Sequence, residues 1–522
     1  MGNPFTNTLR LTRAGWTLAR HDALLPPEQV EKLPWLARAG LKLAQLGKDD
    51  RSTTTAHRIS TALSMLGPSY IKLGQFLSTR PDVIGVKRAF ELKALQDRLP
   101  PFATTDARRI IREELGAPVE HLFTAFAEPI AAASVAQVHK ARTPDGRDVA
   151  VKILRPAIER RFAADIDSFG FAARMIERVS AQGRRLRPVD AVGMLEESMK
   201  HELDLRMEAS ALAEVAANTK GDPAFRVPKV DWQRTAKRVL TTEWIDGIPL
   251  SDVDAIRAAG INLNQLADTI IQSFLRHAIR DGFFHADMHQ GNLMVERDGT
   301  LVALDFGITG RIGFKDQLFL AEILYGFITR NYKRIAEVHF EAGYVPDTKN
   351  VDDFAQALRA IGEPILDLPA DQISMARLLT QLFEVTEQFD MVTQPQLLLL
   401  QKTMVVVEGV ARTLNPNLNM WVTAEPVVKA WIERKLGPVG KIEQAADGVL
   451  SLGRMALQLP EVLSDAQKAT RMLSDMAKGG GLRLDAATTS EIVRQQKDAR
   501  RWQNWAVVAG AAALVVIAWK VA

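Results

Sequence analysis

The chain contains no cysteine in its 522 residues. A disulfide framework, a thiolate zinc site, an iron–sulfur cluster and a cysteine nucleophile are excluded together. There is no long basic run either, and the net charge is only +4, so no nucleic-acid partner is expected. No Gly-x-Gly-x-x-Gly fingerprint follows a predicted strand, which leaves flavin or nicotinamide chemistry without a visible site. No fixed-period repeat is present. The N-terminal stretch to His21 has no acid and lacks the continuous apolar core of a secretory signal. It carries Arg10, Arg13 and Arg20 among Leu9, Leu11, Trp16 and Leu18. It reads as a solvated helix, with a membrane-surface helix or a transit peptide as the alternatives.

What is present divides into blocks. Residues 1–105 read as a helical extension closing at Pro100-Pro101. Residues 106–245 mix helix and strand, and residues 246–437 are mostly helical with strands near 293 to 305. Residues 438–504 form a helical tail interrupted at Gly479-Gly480-Gly481. Residues 505–522 hold the one long apolar run, Trp505 to Trp519, bracketed by tryptophans and preceded by Lys497, Arg500 and Arg501. The run spans roughly 22 Å at about 1.5 Å per residue, and the closing residues bring it close to a bilayer core of about 30 Å. A C-terminal membrane helix is expected, with the basic cluster holding the body on the cytoplasmic side. The competing reading is a helix packed on the protein or on a second copy, so a homodimer is kept as an expectation.

The chemistry sits in the middle blocks. Two apolar runs, Asn292 to Val295 and Leu301 to Leu304, flank Arg297-Asp298-Gly299-Thr300 and predict a hairpin. The hairpin puts Asn292 and Asp305 at one edge, where an amide oxygen and a carboxylate suit a hard divalent cation such as Mg²⁺ with phosphate oxygens. Asp287, just before the first strand, would take or orient a proton from an acceptor. In order, these pieces are the catalytic loop and DFG arrangement of kinases, here His285-Ala286-Asp287 … Asn292 … Asp305-Phe306-Gly307. A rival reading makes His285, Asp287 and His289 metal ligands, but it leaves Asn292 and Asp305 unexplained.

Upstream, Asp148 to Leu154 alternates like a strand and places Lys152 where a kinase lysine reaches the α- and β-phosphates of ATP. The expected glycine-rich loop is replaced by Ala131-Ala132-Ala133-Ser134-Val135-Ala136. Alanine disfavours the φ > 0 conformations that glycine supplies, so this loop should hold phosphates differently. Glu196 to Ala217 reads as one helix carrying Glu196, Glu197, Glu202, Asp204 and Glu208. At about 100° per residue Glu202 and Glu208 face differently, so only one can pair with Lys152. Ile59 to Leu77 also reads as one helix, with Lys72 and Gln75 on a polar stripe.

Lys72-Leu73-Gly74-Gln75, the alanine-rich AAASVAQVH, Glu202-Leu203-Asp204, HADMHQGN and DFG together resemble the UbiB family of atypical protein-kinase-like proteins, over roughly residues 60–435. The resemblance implies an α+β, two-lobed protein-kinase-like fold with ATP and Mg²⁺ as cofactors. It implies that Glu208 pairs with Lys152, and that Lys72, Gln75, Glu202 and Asp204 cluster near the nucleotide. It also implies a supporting role in ubiquinone biosynthesis at the cell inner membrane, with membrane lipids, isoprenoid quinone precursors and other ubiquinone-biosynthesis proteins as partners. Gln290 departs from the family, where proline is common, and one C-terminal apolar segment stands where a pair is expected. No Ala-Pro-Glu signature follows Asp305, so the platform on which kinases dock protein substrates is missing. The competing class is a nucleotide-sensing scaffold that binds isoprenoid precursors without phosphoryl transfer.

Overall fold

The computed structural model describes residues 4–21, 55–78, 92, 99–179, 187–366, 381, 384–391 and 395–436. The chain divides into two compact units, Met1–Glu433 and Arg434–Ala522. Nearly all of the second unit lies outside the described residues, as do the expected linker at Gly479 to Gly481 and the expected membrane helix from Trp505. Among the described residues no helix is long and apolar enough to cross a membrane.

The first unit opens with helices α1 (Pro4–Arg20), α2 (Thr55–Leu66), α3 (Pro68–Ser78) and α4 (Thr104–Leu115). Strands β1 (Ala125–Ala132), β2 (Ala136–Arg142) and β3 (Asp148–Leu154) follow. Then come α5 (Ile158–Val179), α6 (Pro188–Glu202), α7 (Leu205–Asn218), β4 (Phe225–Arg226), β5 (Val239–Glu243) and β6 (Ile248–Pro249). The remainder holds α8 (Leu263–Leu275), β7 (Phe283–His285), β8 (Leu293–Val295), β9 (Leu301–Ala303) and β10 (Thr309–Arg311). It closes with α9 (Phe314–Ile328), α10 (Tyr332–Glu341), α11 (Val351–Leu366), α12 (Pro395–Leu414) and α13 (Met420–Leu436).

The first lobe is an antiparallel sheet in the order β1-β2-β3-β5. Strand alternation decides its two faces. Val149, Val151 and Ile153 of β3 point to one side and join Ile110 and Ile111 of α4 in a buried cluster. Lys152, one position out of phase, points to the other side, where α7 packs. The second lobe is helical around a small sheet in the order β4-β9-β8-β6 and a separate β7–β10 pair. One large apolar core runs through α7, α8 and α12 and beneath the hairpin.

Two helices expected to be continuous are broken. Ile59 to Leu77 splits at Gly67, whose φ is +101°, before Pro68 starts α3. The Arg161 guanidinium fills the space a Gly67 side chain would need and donates to the Leu66 carbonyl at 2.8 Å. The turn requires glycine conformationally, through its positive φ, while a side chain there would displace only the end of the Arg161 side chain. Glu196 to Ala217 splits at Leu203. Asp204 there takes an extended backbone and caps α7 by accepting the Arg206 N–H.

Candidate active site

Lys152 is the hub. Its ammonium lies 2.8 Å from each oxygen of Glu208 and 2.6 Å from Asp305 Oδ2. Glu208 is in the first turn of α7, so the break at Leu203 is what aims it at β3. Burial alone would lower the lysine's pKa, but the two carboxylates outweigh it and hold the ammonium above its ordinary value. Glu208 is pushed up to about 7, first by burial and then by the Asp305 carboxylate, against the pull of Lys152. Asp305 keeps 40% of its side-chain surface open. Its carboxyl is nonetheless held below the usual range: its surroundings oppose ionisation, and the Lys152 charge and bond overcome them. Two carboxylates therefore share one cation, the more open of them ionised.

The catalytic loop is built by backbone pairing. β7 pairs with β10, with Thr309 opposite His285, and Ala286 N–H donates to the Ile308 carbonyl at 3.0 Å. His285 is buried, and its ring lies against Phe306 with centroids 4.7 Å apart. Its Nδ1 accepts the Asp287 N–H at 3.1 Å, and burial pushes its pKa down to about 4. A neutral ring, packed against Phe306 and with Nδ1 accepting a backbone N–H, props the loop. Among the described residues no group of three or more His, Asp or Glu could hold a metal ion. The His285/Asp287/His289 metal reading has no geometric support.

The hairpin pairs Leu293 with Ala303, and Leu304 N–H donates to the Asn292 carbonyl at 2.9 Å. That bond sets Asn292 beside the residue preceding Asp305. Asn292 Nδ2 donates to the Asp287 carbonyl at 3.0 Å, which leaves its Oδ1 as the atom offered to a cation. Gly307 N–H donates to Asp305 Oδ1 at 2.8 Å. An amide oxygen and an ionised carboxylate at one edge fit Mg²⁺. Asp287 keeps 39% of its side chain open, with His289 Nε2 at 3.7 Å from its Oδ2.

The alanine-rich segment departs from the expected loop. Ala131 and Ala132 are strand residues that close β1, paired with Val138 and Gln137. The turn itself is Ala133, Ser134 and Val135, closed by Ala133 N–H on the Ala136 carbonyl at 2.8 Å. None of these residues has positive φ, so alanine costs nothing there and Ser134 is fully buried. Arg155, unremarkable by sequence, clamps the turn. Its Nε donates to the Ala133 carbonyl at 3.0 Å, and its backbone N–H to the Val135 carbonyl at 2.9 Å. Behind the turn, His139 Nδ1 lies 2.8 Å from the Ala127 carbonyl and must donate to it. Its Nε2 then accepts the Gln137 amide at 2.8 Å.

Lys72 reaches Glu202, with Nζ 2.6 Å from Oε2, and both side chains are only 9% exposed. Of the two acids flanking Leu203, Glu202 and not Asp204 is the partner of Lys72. Asp204 is engaged by Arg206 through Nε at 2.9 Å and Nη2 at 2.6 Å. Gln75 is half-buried on the same helix as Lys72. Two further contacts were not foreseen. Thr403 Oγ1 of α12 donates to the Ala286 carbonyl at 3.1 Å, and Gln290 Nε2 donates to Thr413 Oγ1 at 2.8 Å. Helix α12 thus braces the catalytic loop. An open groove of about 380 Å³ between them is lined by His289, Gln290, Gly291, Val406, Gly409 and Val410.

A two-lobed fold with a strand lysine, a helix glutamate, a loop aspartate and a hairpin Asn/Asp pair defines a protein-kinase-like protein. Residues 94–339 match the ABC1 atypical kinase-like domain, and residues 358–419 match the UbiB helical domain. The chain is 38% identical to the Probable protein kinase UbiB of Marinobacter nauticus, over 98% of this chain and 94% of that one. It is 40% identical to the protein of the same name from Aeromonas salmonicida, over 84% and 82%. The solved Rv3197–erythromycin complex from Mycobacterium tuberculosis aligns with a TM-score of 0.49 at 25% identity, covering 75% of this chain and 98% of that one. The chain belongs to the UbiB family of atypical kinase-like proteins.

Proposed function

We propose that this protein is a Mg²⁺-dependent, ATP-binding atypical kinase or ATPase that supports ubiquinone biosynthesis at the cell inner membrane, with its body on the cytoplasmic side. The observation that carries the catalytic part is the Lys152–Glu208–Asp305 cluster, with Asn292 fixed at the same hairpin edge. Lys152, held in place by Glu208, binds the α- and β-phosphates. Asp305 and Asn292 hold the metal, which neutralises charge on the phosphates when bound. Asp287 orients the acceptor and receives its proton. The open groove beside His289 gives an acceptor an approach with an apolar α12 side at Val406 and Val410, which suits the chain of an isoprenoid quinone precursor. The ubiquinone assignment rests on the UbiB name of the relatives. Membrane lipids and other ubiquinone-biosynthesis proteins are the partners that reading calls for.

The test is thermal stabilisation by ATP. A ligand at a hundredfold excess over Kd stabilises by about 2.7 kcal/mol. The shift is expected to require Mg²⁺ and to vanish in Asp305→Ala. An Asp305→Ala protein that ATP still stabilises would overturn the metal assignment. Steady phosphate release by the wild type separates an enzyme from a nucleotide-sensing scaffold, which would show the shift without turnover.

Nucleotide binding is also expected to release a proton. In the free protein burial, and after it the Asp305 charge, raises Glu208 from its ordinary 4.5 to about 7. A metal on Asp305 cancels that charge, so the Glu208 pKa falls back towards its ordinary value. Somewhat below pH 7 part of this group therefore passes from protonated to ionised on binding. Calorimetry in two buffers of different ionisation enthalpy should show release that Glu208→Gln abolishes. Proton uptake would contradict the shared-cation picture.

A further inference from the structure

We propose that Arg155 is a positioning residue for the nucleotide: by fastening the alanine turn to residues 99–103, it holds that turn in place for the phosphates. The inference rests on the ATP-binding function proposed for the site. Its starting point is the register of the sheet. Val138 of β2 pairs with Lys152 of β3. At about 3.3 Å per residue, the end of the turn at Val135 lies on the order of 10 Å along the strand from that pair. A triphosphate anchored at Lys152 extends over such a distance.

One guanidinium joins the turn to a distant segment. Arg155 Nε and Nη2 both donate to the Ala133 carbonyl, at 3.0 and 2.8 Å. The same Nη2 lies 2.9 Å from the Pro100 carbonyl and 3.4 Å from that of Leu99. A charged donor strengthens each such bond. Gln137, which is buried, fastens the two segments a second time. Its Oε1 accepts the Phe102 N–H at 2.8 Å, and its Nε2 donates to the Phe102 carbonyl at 3.3 Å. An amide that both donates to and accepts from one residue's backbone leaves that residue little room to slide.

The consequence is pre-organisation. A turn fixed before ATP arrives loses little freedom when ATP binds, and affinity gains by that difference. Residues 99–103 also lead from the N-terminal extension into α4. A displacement of that segment therefore reaches the turn through Arg155 and Gln137.

The test is Arg155→Met in the full chain. Arg155→Lys is the milder variant, because lysine lacks the fork that spans the Ala133 and Pro100 carbonyls; it carries the comparison if the first does not fold. Without nucleotide, hydrogen–deuterium exchange is expected to rise together in peptides covering residues 99–103 and 131–136. With Mg²⁺ present, affinity for ATP is expected to fall about tenfold, while affinity for adenosine, which has no phosphates, stays unchanged. Arg155→Lys should move both readouts in the same direction by less. An arginine that only stabilises the lobe would weaken ATP and adenosine alike, and that result overturns the proposal. So does an unchanged ratio of the two affinities, or faster exchange in one segment only. A wild type that binds neither ligand fails the ATP-binding function itself before any variant is compared, and the positioning role falls with it.

Discussion

Asp287→Asn is expected to keep ATP binding while losing turnover by about 10²- to 10⁴-fold, the range for removing a general base. The separation is expected because the structural duties of residue 287 are carried by its backbone. Its N–H donates to His285 Nδ1 and its carbonyl accepts from Asn292 Nδ2. Asparagine has the same shape and leaves both bonds intact. Only the carboxylate is lost, and it faces the cleft side by side with His289. Phosphate release at saturating ATP measures the loss, and ATP-dependent melting measures the binding that should survive. If both fall together, residue 287 shapes the nucleotide site and is not the acceptor's base. If neither falls, the carboxylate has no chemical role.

The parts of this site legible in the sequence are those set by local rules. The Asp298-Gly299 turn between two apolar runs fixed the β8–β9 hairpin, and the hairpin alone placed Asn292 and Asp305 together. Period-two alternation put Lys152 opposite Val151 and Ile153. Helix phase showed that Glu202 and Glu208 could not both meet Lys152, but not which one would. That choice depends on the break at Leu203, and the break was itself readable: Asp204 before a helical run is an N-cap signal. Pro68 after Gly67 was an equally clear stop signal between α2 and α3. Both were overridden by apolar periodicity that continues across the breaks. The contacts that escaped entirely are long-range and made by ordinary residues. Arg155 grips the alanine turn from the strand end after Lys152, and Thr403 supports Ala286 across 117 positions. Nothing local distinguishes such an arginine or threonine from a solvated one.

Lys72→Ala is expected to cost about 3–5 kcal/mol of stability, against a typical total of about 5–15. From the sequence alone, with Lys72 on a polar stripe, the same change reads as one the fold tolerates. Burial reverses that expectation. With both side chains of the Lys72–Glu202 pair only 9% exposed, attraction and desolvation nearly cancel, so the pair adds little net stability. Removing Lys72 takes away the cation 2.6 Å from a carboxylate that burial makes costly to keep charged. The double variant Lys72→Met with Glu202→Leu should therefore recover most of the loss, as chemical denaturation of the three proteins would show. A single variant as stable as the double would mean that water reaches the pair. The same comparison bears on function, because Glu202 ends α6 and Glu208 sits in the first turn of α7. The ion pair ties α3 to the segment that aims Glu208 at Lys152. If that tie holds α3 over the cleft, the stable double variant should change nucleotide affinity and label itself with phosphate, and adding Asp287→Asn should abolish the label. An unchanged affinity together with no labelling would confine the pair to holding helices together.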